Sequence, residues 1–441
     1  MTKVGFVSLG CSKNLVDTEV MLYNLHSAGF EITPEEEEAE IIIINTCGFI
    51  ESAKKESIDN ILDAEKLKEW GKCKHIIATG CLVERYREEV MNELPELDAI
   101  VGVGSLCDIA EACCAVMRGE KYSSFRDKET SPLGGDRIVT TEPHTAYLKI
   151  SEGCDNLCTY CAIPLIRGKH RSRTIEDIVA EAKDLEGMGV KELNLIAQDT
   201  TRYGLDIYSE YSLARLVRAL TEETSIPWIR LLYCYPDKIT DELIAELRDN
   251  ERLVKYMDIP IQHISDPVLA RMNRHGGSAL IKDAVKKLRR EVPGIVLRTT
   301  AMVGFPGETE EDFRELCEFV KEARFDRFGA FTFSPEEGTA AAAMPDQIDE
   351  QIKQDRYDCL MQTQLTVTEE KNAENVGKIL TVLCDGFDTV AEVYFGRSYA
   401  DAPDVDGKVY FTSKRRINPG AFVEVKVTEA LDYDLIGEVI I

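Results

Sequence analysis

The chain has no long hydrophobic run. Its opening residues, MTKVGFVSLG, contain no basic segment followed by an apolar stretch and a cleavage site, and the nearby IIIIN at 41–45 is far too short to span a bilayer. A cytoplasmic protein with no membrane association is expected. Histidine is scarce, with six residues scattered through the sequence, which excludes a His-rich metal site. Positive charge is short as well: 52 Lys and Arg face 79 Asp and Glu, a net charge of −27. Nucleic-acid affinity comes largely from cations that neutralise phosphates, so a purely nucleic-acid-binding function is disfavoured. A basic protein partner or a small substrate suits this charge better, while the EEEE run at 35–38 is most simply a solvated surface.

Cysteine, by contrast, is plentiful, with fourteen residues. In a reducing compartment these are not expected to form a disulfide framework, so clustered ones point to metal ligands or reactive thiols.

At 441 residues the chain has room for two or three domains. Short apolar, β-branched runs at 3–9, 40–46 and 75–79 each precede helical periodicity, at 14–28, 51–67 and 82–92. LDAIVGVG at 97–104 precedes a further helix over about 106–117. Strand alternating with helix predicts a parallel α/β domain over 1–118, followed by a polar linker or hairpin over 119–139. The alternation resumes in 140–372 with AYLKIS, ELNLIAQ, WIRLLY, YMDIPIQ, VLRTTAMVGF and RFGAFTF as strands. Helical stretches separate them at about 175–187, 211–222, 239–247, 266–289 and 309–323. Six β/α units fall short of the eight that close a TIM barrel, so an open, partial (β/α)6 barrel is expected. A long helical stretch at 346–373 leads to 373–441, where period-two alternation and glycines predict a small antiparallel β-barrel.

The fold class is therefore α/β, with a small β-barrel at its end. On that map CDNLCTYC, residues 154–161, lies in the loop at the mouth of the partial barrel, where such folds carry active sites. Cys154, Cys158 and Cys161 offer three soft thiolates suited to an iron-sulfur cluster, and no fourth cysteine accompanies them. A zinc site would prefer paired C-x2-C units with four ligands, and structural thiols are the remaining alternative.

Cys11, Cys47 and Cys81 each follow a predicted parallel strand and precede a helix. Strand ends of a parallel sheet share one edge, so these three should converge, and the adjacent helix N-termini would favour thiolates. Three unrelated buried cysteines is the competing explanation. It serves well for the other eight, but it does not account for three equivalent positions.

C-x3-C-x2-C with Tyr160 before its last cysteine, at the mouth of a six-strand partial barrel, resembles the radical S-adenosylmethionine (SAM) superfamily. The resemblance implies a [4Fe-4S] cluster on Cys154, Cys158 and Cys161 whose open iron is chelated by S-adenosyl-L-methionine. With the N-terminal cysteines and the C-terminal barrel included, the whole chain resembles the methylthiotransferase family, whose last domain is called TRAM. That family implies a second, auxiliary [4Fe-4S] cluster on Cys11, Cys47 and Cys81. GCSKNLVDTE at 10–19 and NTCGFIESAKKESID at 45–59 are similar to the branch that modifies ribosomal protein S twelve, free or in the small ribosomal subunit. The implied reaction adds a methylthio group to an aspartate β-carbon. SAM serves as radical source and methyl donor, and a flavodoxin or ferredoxin supplies electrons. A tRNA adenosine methylthiotransferase is the nearest alternative, and a two-cluster electron carrier without substrate chemistry a more distant one.

Weaker motifs add SAM-vicinity candidates. GFPGET at 304–309 resembles a glycine-rich SAM-contacting segment through Gly304 and Gly307, although it could equally be a turn before a helix. LIAQDTTRYG at 195–204 ends the second barrel strand and resembles the segment beside the methionyl moiety, which nominates Gln198 and Asp199. Arg167, Lys169, His170, Arg171 and Arg173 form a basic island after the cluster loop, with either a binding or a structural role. No catalytic side chain is assigned. Residues 373–441 hold seven Lys and Arg against twelve Asp and Glu, a net charge of −5. Such a barrel would repel phosphate except at SKRR, 413–416, and tRNA is an unlikely partner for it.

Overall fold

The computed structural model describes residues 1–440. Among the described residues three large sheets follow one another along the chain, with a two-stranded ribbon inside the second region. The first contains β1 (Lys3–Ser8), β2 (Glu31–Thr33), β3 (Ile41–Thr46), β4 (His75–Gly80), β5 (Ala99–Val101) and β6 (Tyr122–Ser124), in the order β2-β1-β3-β4-β5-β6. All its pairings are parallel. All six residues of β3 are buried, as a parallel strand covered on both faces requires. The covering helices are α1 (Ser12–Ser27), α2 (Glu51–Trp70), α3 (Cys81–Tyr86), α4 (Glu88–Glu93) and α5 (Ile109–Met117). The strand order reverses at β1, so the crevice between the C-terminal ends of β1 and β3 is the place where this topology binds ligands.

Two local features differ from the sequence expectation. The single helix expected over 82–92 is split at Arg87, whose φ of 47° is left-handed. The start of the expected linker pairs as β6, the sixth strand.

The second sheet is an open run of six parallel strands: β7 (Thr145–Lys149), β10 (Glu192–Ile196), β11 (Trp228–Leu231), β12 (Leu253–Asp258), β13 (Val296–Val303) and β14 (Arg327–Thr332). A two-stranded ribbon, β8 (Ser151–Glu152) with β9 (Arg171–Ser172), brackets the cysteine loop and α6 (Ile163–Arg167). The remaining helices are α7 (Ile175–Gly187), α8 (Leu205–Tyr208), α9 (Leu213–Glu223), α10 (Asp241–Asp249), α11 (Asp266–Arg271), α12 (Gly277–Glu291), α13 (Glu310–Ala323) and α14 (Glu350–Ala373). The stretch expected as one helix over 266–289 is two, because Asn273 and Gly276 take positive φ between them. Ala146, Leu148, Leu193, Leu195, Ile229 and Leu231 pack in the core shared with these helices. The alternating positions on the other strand face carry Tyr147, Asn194 and Arg230.

The third sheet is a closed barrel of β15 (Ile379–Asp388), β16 (Val393–Ser398), β17 (Val409–Thr412), β18 (Phe422–Ala430) and β19 (Leu435–Val439). Its ladders are antiparallel apart from β17 with β19. The segment after β16 presses Asp404 onto the Tyr147 hydroxyl, 2.8 Å away, and Asp406 onto the Tyr256 hydroxyl, 2.6 Å away. Fully buried Arg230 and Glu192 pair at 2.9 Å, and Arg397 of β16 joins the same carboxylate. The small barrel is thus seated on the polar face of the open one. Among the described residues no helix is long and apolar enough to cross a membrane.

Candidate metal centres

The N-terminal cysteines are brought together by strand register. Thr46 pairs with Gly80 and Ser8 with Asn45, so Cys47 and Cys81 leave adjacent strands side by side and Cys11 turns in from the third. Gly10, at φ +89°, makes that turn: a Cβ there would stand 3.1 Å from the Cys47 sulfur. Gly48 lies so close to the Leu82 backbone, 2.7 Å from where a Cβ would be, that only glycine lets the Cys47 and Cys81 loops touch. Ser57 Oγ accepts from the Cys47 amide and donates to the Cys47 carbonyl, both at 2.9 Å. Asn14 donates to the carbonyls of Leu9 at 2.7 Å and Thr46 at 3.2 Å, sewing the ends of β1 and β3 together.

The electrostatics of this triad are uneven. Cys11 is exposed to solvent. Burial opposes its ionisation, but Lys13, Arg167 and the amides of Asn14 and Lys13 outweigh it and lower its pKa. Burial raises Cys47 and pushes Cys81 up to about 11.

The second triad sits on a strapped loop after β8. Thr159 donates its amide to Met272 and its hydroxyl to the Arg271 carbonyl, and Asn273 donates to the Leu157 carbonyl. Leu157 itself takes φ +51°, a cost the straps must offset. The Tyr235 hydroxyl stands 3.2 Å from Cys158 Sγ, and the Ile163 amide donates to Cys161 Sγ at 3.5 Å. Burial raises Cys154 to about 11 and raises Cys161 further.

These residues fit iron-sulfur clusters. All fourteen cysteines are free thiols. The raised thiols of Cys47, Cys81, Cys154 and Cys161 suit a site where metal supplies the positive charge, since coordination removes the proton outright. Among the described residues no three or more His, Cys, Asp or Glu close up to hold a metal ion. A cubane makes a different demand, because each thiolate binds its own iron and the sulfurs need not converge on one point.

The triads are neighbours. Cys81 packs against Ala162, which directly follows Cys161, and against Ile166 of α6. Arg167, at the end of α6, places Nη2 at 3.4 Å from Cys81 Sγ and 3.0 Å from Asn14 Oδ1. Its Nη1 lies 2.6 Å from Asp17 and 3.1 Å from Glu152, and Lys149 contacts the same two carboxylates.

The SAM-vicinity candidates divide. Tyr160 packs edge-on to Phe305 and its hydroxyl accepts from Arg274 at 3.4 Å, beside the cluster loop. Gln198 donates to Glu152 at 2.6 Å while its Oε1 is buried without a partner. Asp199 is fully buried and held by Asn156, Thr201 and Lys238, so it anchors the cysteine loop from below. The Gly304 and Phe305 amides both donate to Glu308, and a Cβ at Gly304 would run into the Lys353 side chain. Gly307 adjoins Arg271, which donates to the Gly307 and Pro306 carbonyls. Of the basic island, Arg167 enters the site. Arg173 is spent on Asp177 and Glu181, and His170 bonds Ser172. Asn14, Asp17, Glu152 and Tyr235 were not singled out from the sequence. Asn14 and Asp17 lie within the GCSKNLVDTE motif, which was the available signal.

An open six-strand barrel carrying three cysteines on the loop after its first strand is the arrangement that the resemblance to the radical SAM class of enzymes implies. Residues 148–320 match the radical SAM superfamily, residues 3–102 the uncharacterized protein family UPF0004, and residues 376–440 the TRAM domain. The solved radical S-adenosylmethionine methyltransferase TsrM from Kitasatospora setae shares the fold, with TM-score 0.55 and 16% identity over 77% of each chain. The ribosomal protein uS12 methylthiotransferase RimO of Thermoanaerobacter sp. (strain X514) is 48% identical over 99% of this chain and 100% of its own. The relative of that name from Clostridium tetani (strain Massachusetts / E88) is 50% identical over 100% of this chain and 99% of its own. The chain belongs to the RimO family of radical SAM methylthiotransferases. Its cofactors are accordingly S-adenosyl-L-methionine and [4Fe-4S] clusters.

Proposed function

We propose that the protein adds a methylthio group to the β-carbon of an aspartate in ribosomal protein S twelve, in the cytoplasm, with a flavodoxin- or ferredoxin-type electron donor. Residues 1–118 would hold the auxiliary cluster on Cys11, Cys47 and Cys81. Residues 140–372 would hold the SAM-binding cluster on Cys154, Cys158 and Cys161, and 373–441 would form the TRAM domain behind the 119–139 linker. The observation that carries this assignment is the adjacency of two three-cysteine sets across α6, with Cys81 against Ala162 and Ile166.

When bound, the clusters and SAM supply a radical able to take hydrogen from an unactivated C–H bond, together with the sulfur and methyl to be transferred. The chain's own work is to bind, aim and shield. Tyr235 and the Ile163 amide bond the sulfurs of Cys158 and Cys161, and the straps from Arg271, Met272 and Asn273 fix the loop. The buried, unpartnered Gln198 Oε1 supports a cofactor donor group at this position, with Tyr160, Gly304 and Gly307 in the surrounding wall. The acidic TRAM domain favours a basic protein surface over phosphate.

The test is a pair of triple variants. Cys11/Cys47/Cys81→Ala and Cys154/Cys158/Cys161→Ala should each retain half the parent's iron. The first should still cleave SAM without transferring a methylthio group, and the second should do neither. Full iron content in either variant would overturn the ligand assignment.

A further inference from the structure

Arg167 occupies an unusual position for a cation. Its side chain is 3% exposed, and it lies between the two cysteine sets. The two edges of its guanidinium do different things. The Nη1 edge meets the carboxylates of Asp17 and Glu152, which Lys149 also contacts, so this knot of two cations and two anions is balanced. The Nη2 edge is turned away from those carboxylates, toward Cys81 Sγ at 3.4 Å and Asn14 Oδ1 at 3.0 Å. A rigid planar fork can serve both edges at once, whereas a lysine ammonium is a single point charge on a flexible stem.

We infer that Arg167 is a positioning residue for the auxiliary cluster: it donates an N–H···S bond to the Cys81 thiolate and raises that cluster's reduction potential. The inference rests on the assignment of Cys11, Cys47 and Cys81 as cluster ligands. Hydrogen bonds to sulfur and nearby positive charge both stabilise the more negative, reduced state, and burial strengthens each effect. Because Arg167 ends the helix that begins two residues after Cys161, the same contact ties Cys81 to the loop of the second cysteine set. Glu152 extends the connection to Gln198 at 2.6 Å, so the auxiliary cluster's ligand and a residue of the SAM region share one hydrogen-bonded chain.

The test uses the full-length Cys154/Cys158/Cys161→Ala variant, loaded with iron and sulfide so that only the auxiliary cluster is present. The protein is labelled with 15N-arginine, and the reduced cluster is examined by pulsed electron paramagnetic resonance. A 15N coupling is expected, and Arg167→Lys should abolish it. At an applied potential that half-reduces the parent, Arg167→Gln should lower the ratio of reduced to oxidised cluster at least tenfold. A reduced cluster with no 15N coupling in the parent would overturn the N–H···S bond, whether or not either variant takes up iron. A coupling with an unchanged ratio in the variants would overturn the effect on potential. Failure of the triple variant to bind any cluster would overturn the ligand assignment and this inference together, and the iron content distinguishes that result from the others.

Discussion

Asn14 Oδ1 accepts a hydrogen bond from Arg167 Nη2 at 3.0 Å, across 153 residues of sequence and from the first parallel sheet to the open barrel. The same amide's nitrogen holds the carbonyls at the ends of β1 and β3. One buried side chain therefore links the loops of Cys11 and Cys47 to the helix that follows Cys161. Asn14→Ala is expected to cost about 1–3 kcal/mol by leaving buried carbonyls and a guanidinium edge unpaired. Chemical denaturation and the rate of iron loss from the auxiliary cluster check it, and values matching the parent would contradict the role.

Glu336, at the far side of the barrel mouth, is 3% exposed and takes Arg85 at 3.0 Å, Lys54 at 3.2 Å and the Glu51 amide at 2.8 Å. Glu336→Ala leaves Arg85 without a carboxylate in this seam, while Lys54 keeps Glu51 at 2.5 Å. Removing one partner of a buried pair costs about 3–5 kcal/mol. Faster hydrogen exchange is expected in α2 and α3, with no change in the TRAM barrel; uniform exchange would contradict a local latch.

Much of this arrangement was legible in the sequence, and the reasons are specific. The IIIINT run and the cysteines after each strand announced a parallel sheet with a loaded edge, because burial on both faces leaves an uninterrupted apolar signature. The six barrel strands and most helices followed from the same periodicity. The breaks at Arg87 and at 272–277 were hidden, since a helical pattern continues through a kink that only backbone geometry reveals. β6 was missed because YSS carries no apolar signature. Asp199 and Gly304 carried a motif-level signal, and their contacts, Asp199 with Asn156 and Gly304 against Lys353, come from the structure alone. Pairwise geometry of buried charges, such as Arg167 with Cys81, leaves no trace in spacing.

Gly304 takes φ +73° with Lys353 pressed against it. Gly304→Ala is expected to lose about 1–2 kcal/mol from backbone strain alone, with displacement of Lys353 adding to it. Denaturant titration measures the loss. A stability equal to the parent's would contradict close packing as the reason for glycine here.

Seating of the TRAM barrel should depend on acid. Burial opposes ionisation of Asp385, but hydrogen bonds from His144 and Arg397 outweigh it and hold its carboxyl below the ordinary value. A depressed carboxyl pKa contributes stability that is present above the unfolded value, about 3.9, and is lost as pH falls through the folded one. Asp385→Asn should flatten the decline of melting temperature below about pH 4. An acid limb as steep as the parent's would contradict the assignment.

Two-cluster methylthio transfer to a protein leaves a mass signature on its substrate. The most direct test is the mass of ribosomal protein S twelve after incubation with the iron-loaded protein, SAM, sulfide and a reductant, with tRNA treated in parallel. The ribosomal protein is expected to gain one methylthio group on a single aspartate while tRNA nucleosides stay unchanged. An unmodified ribosomal protein beside a newly methylthiolated adenosine would contradict it.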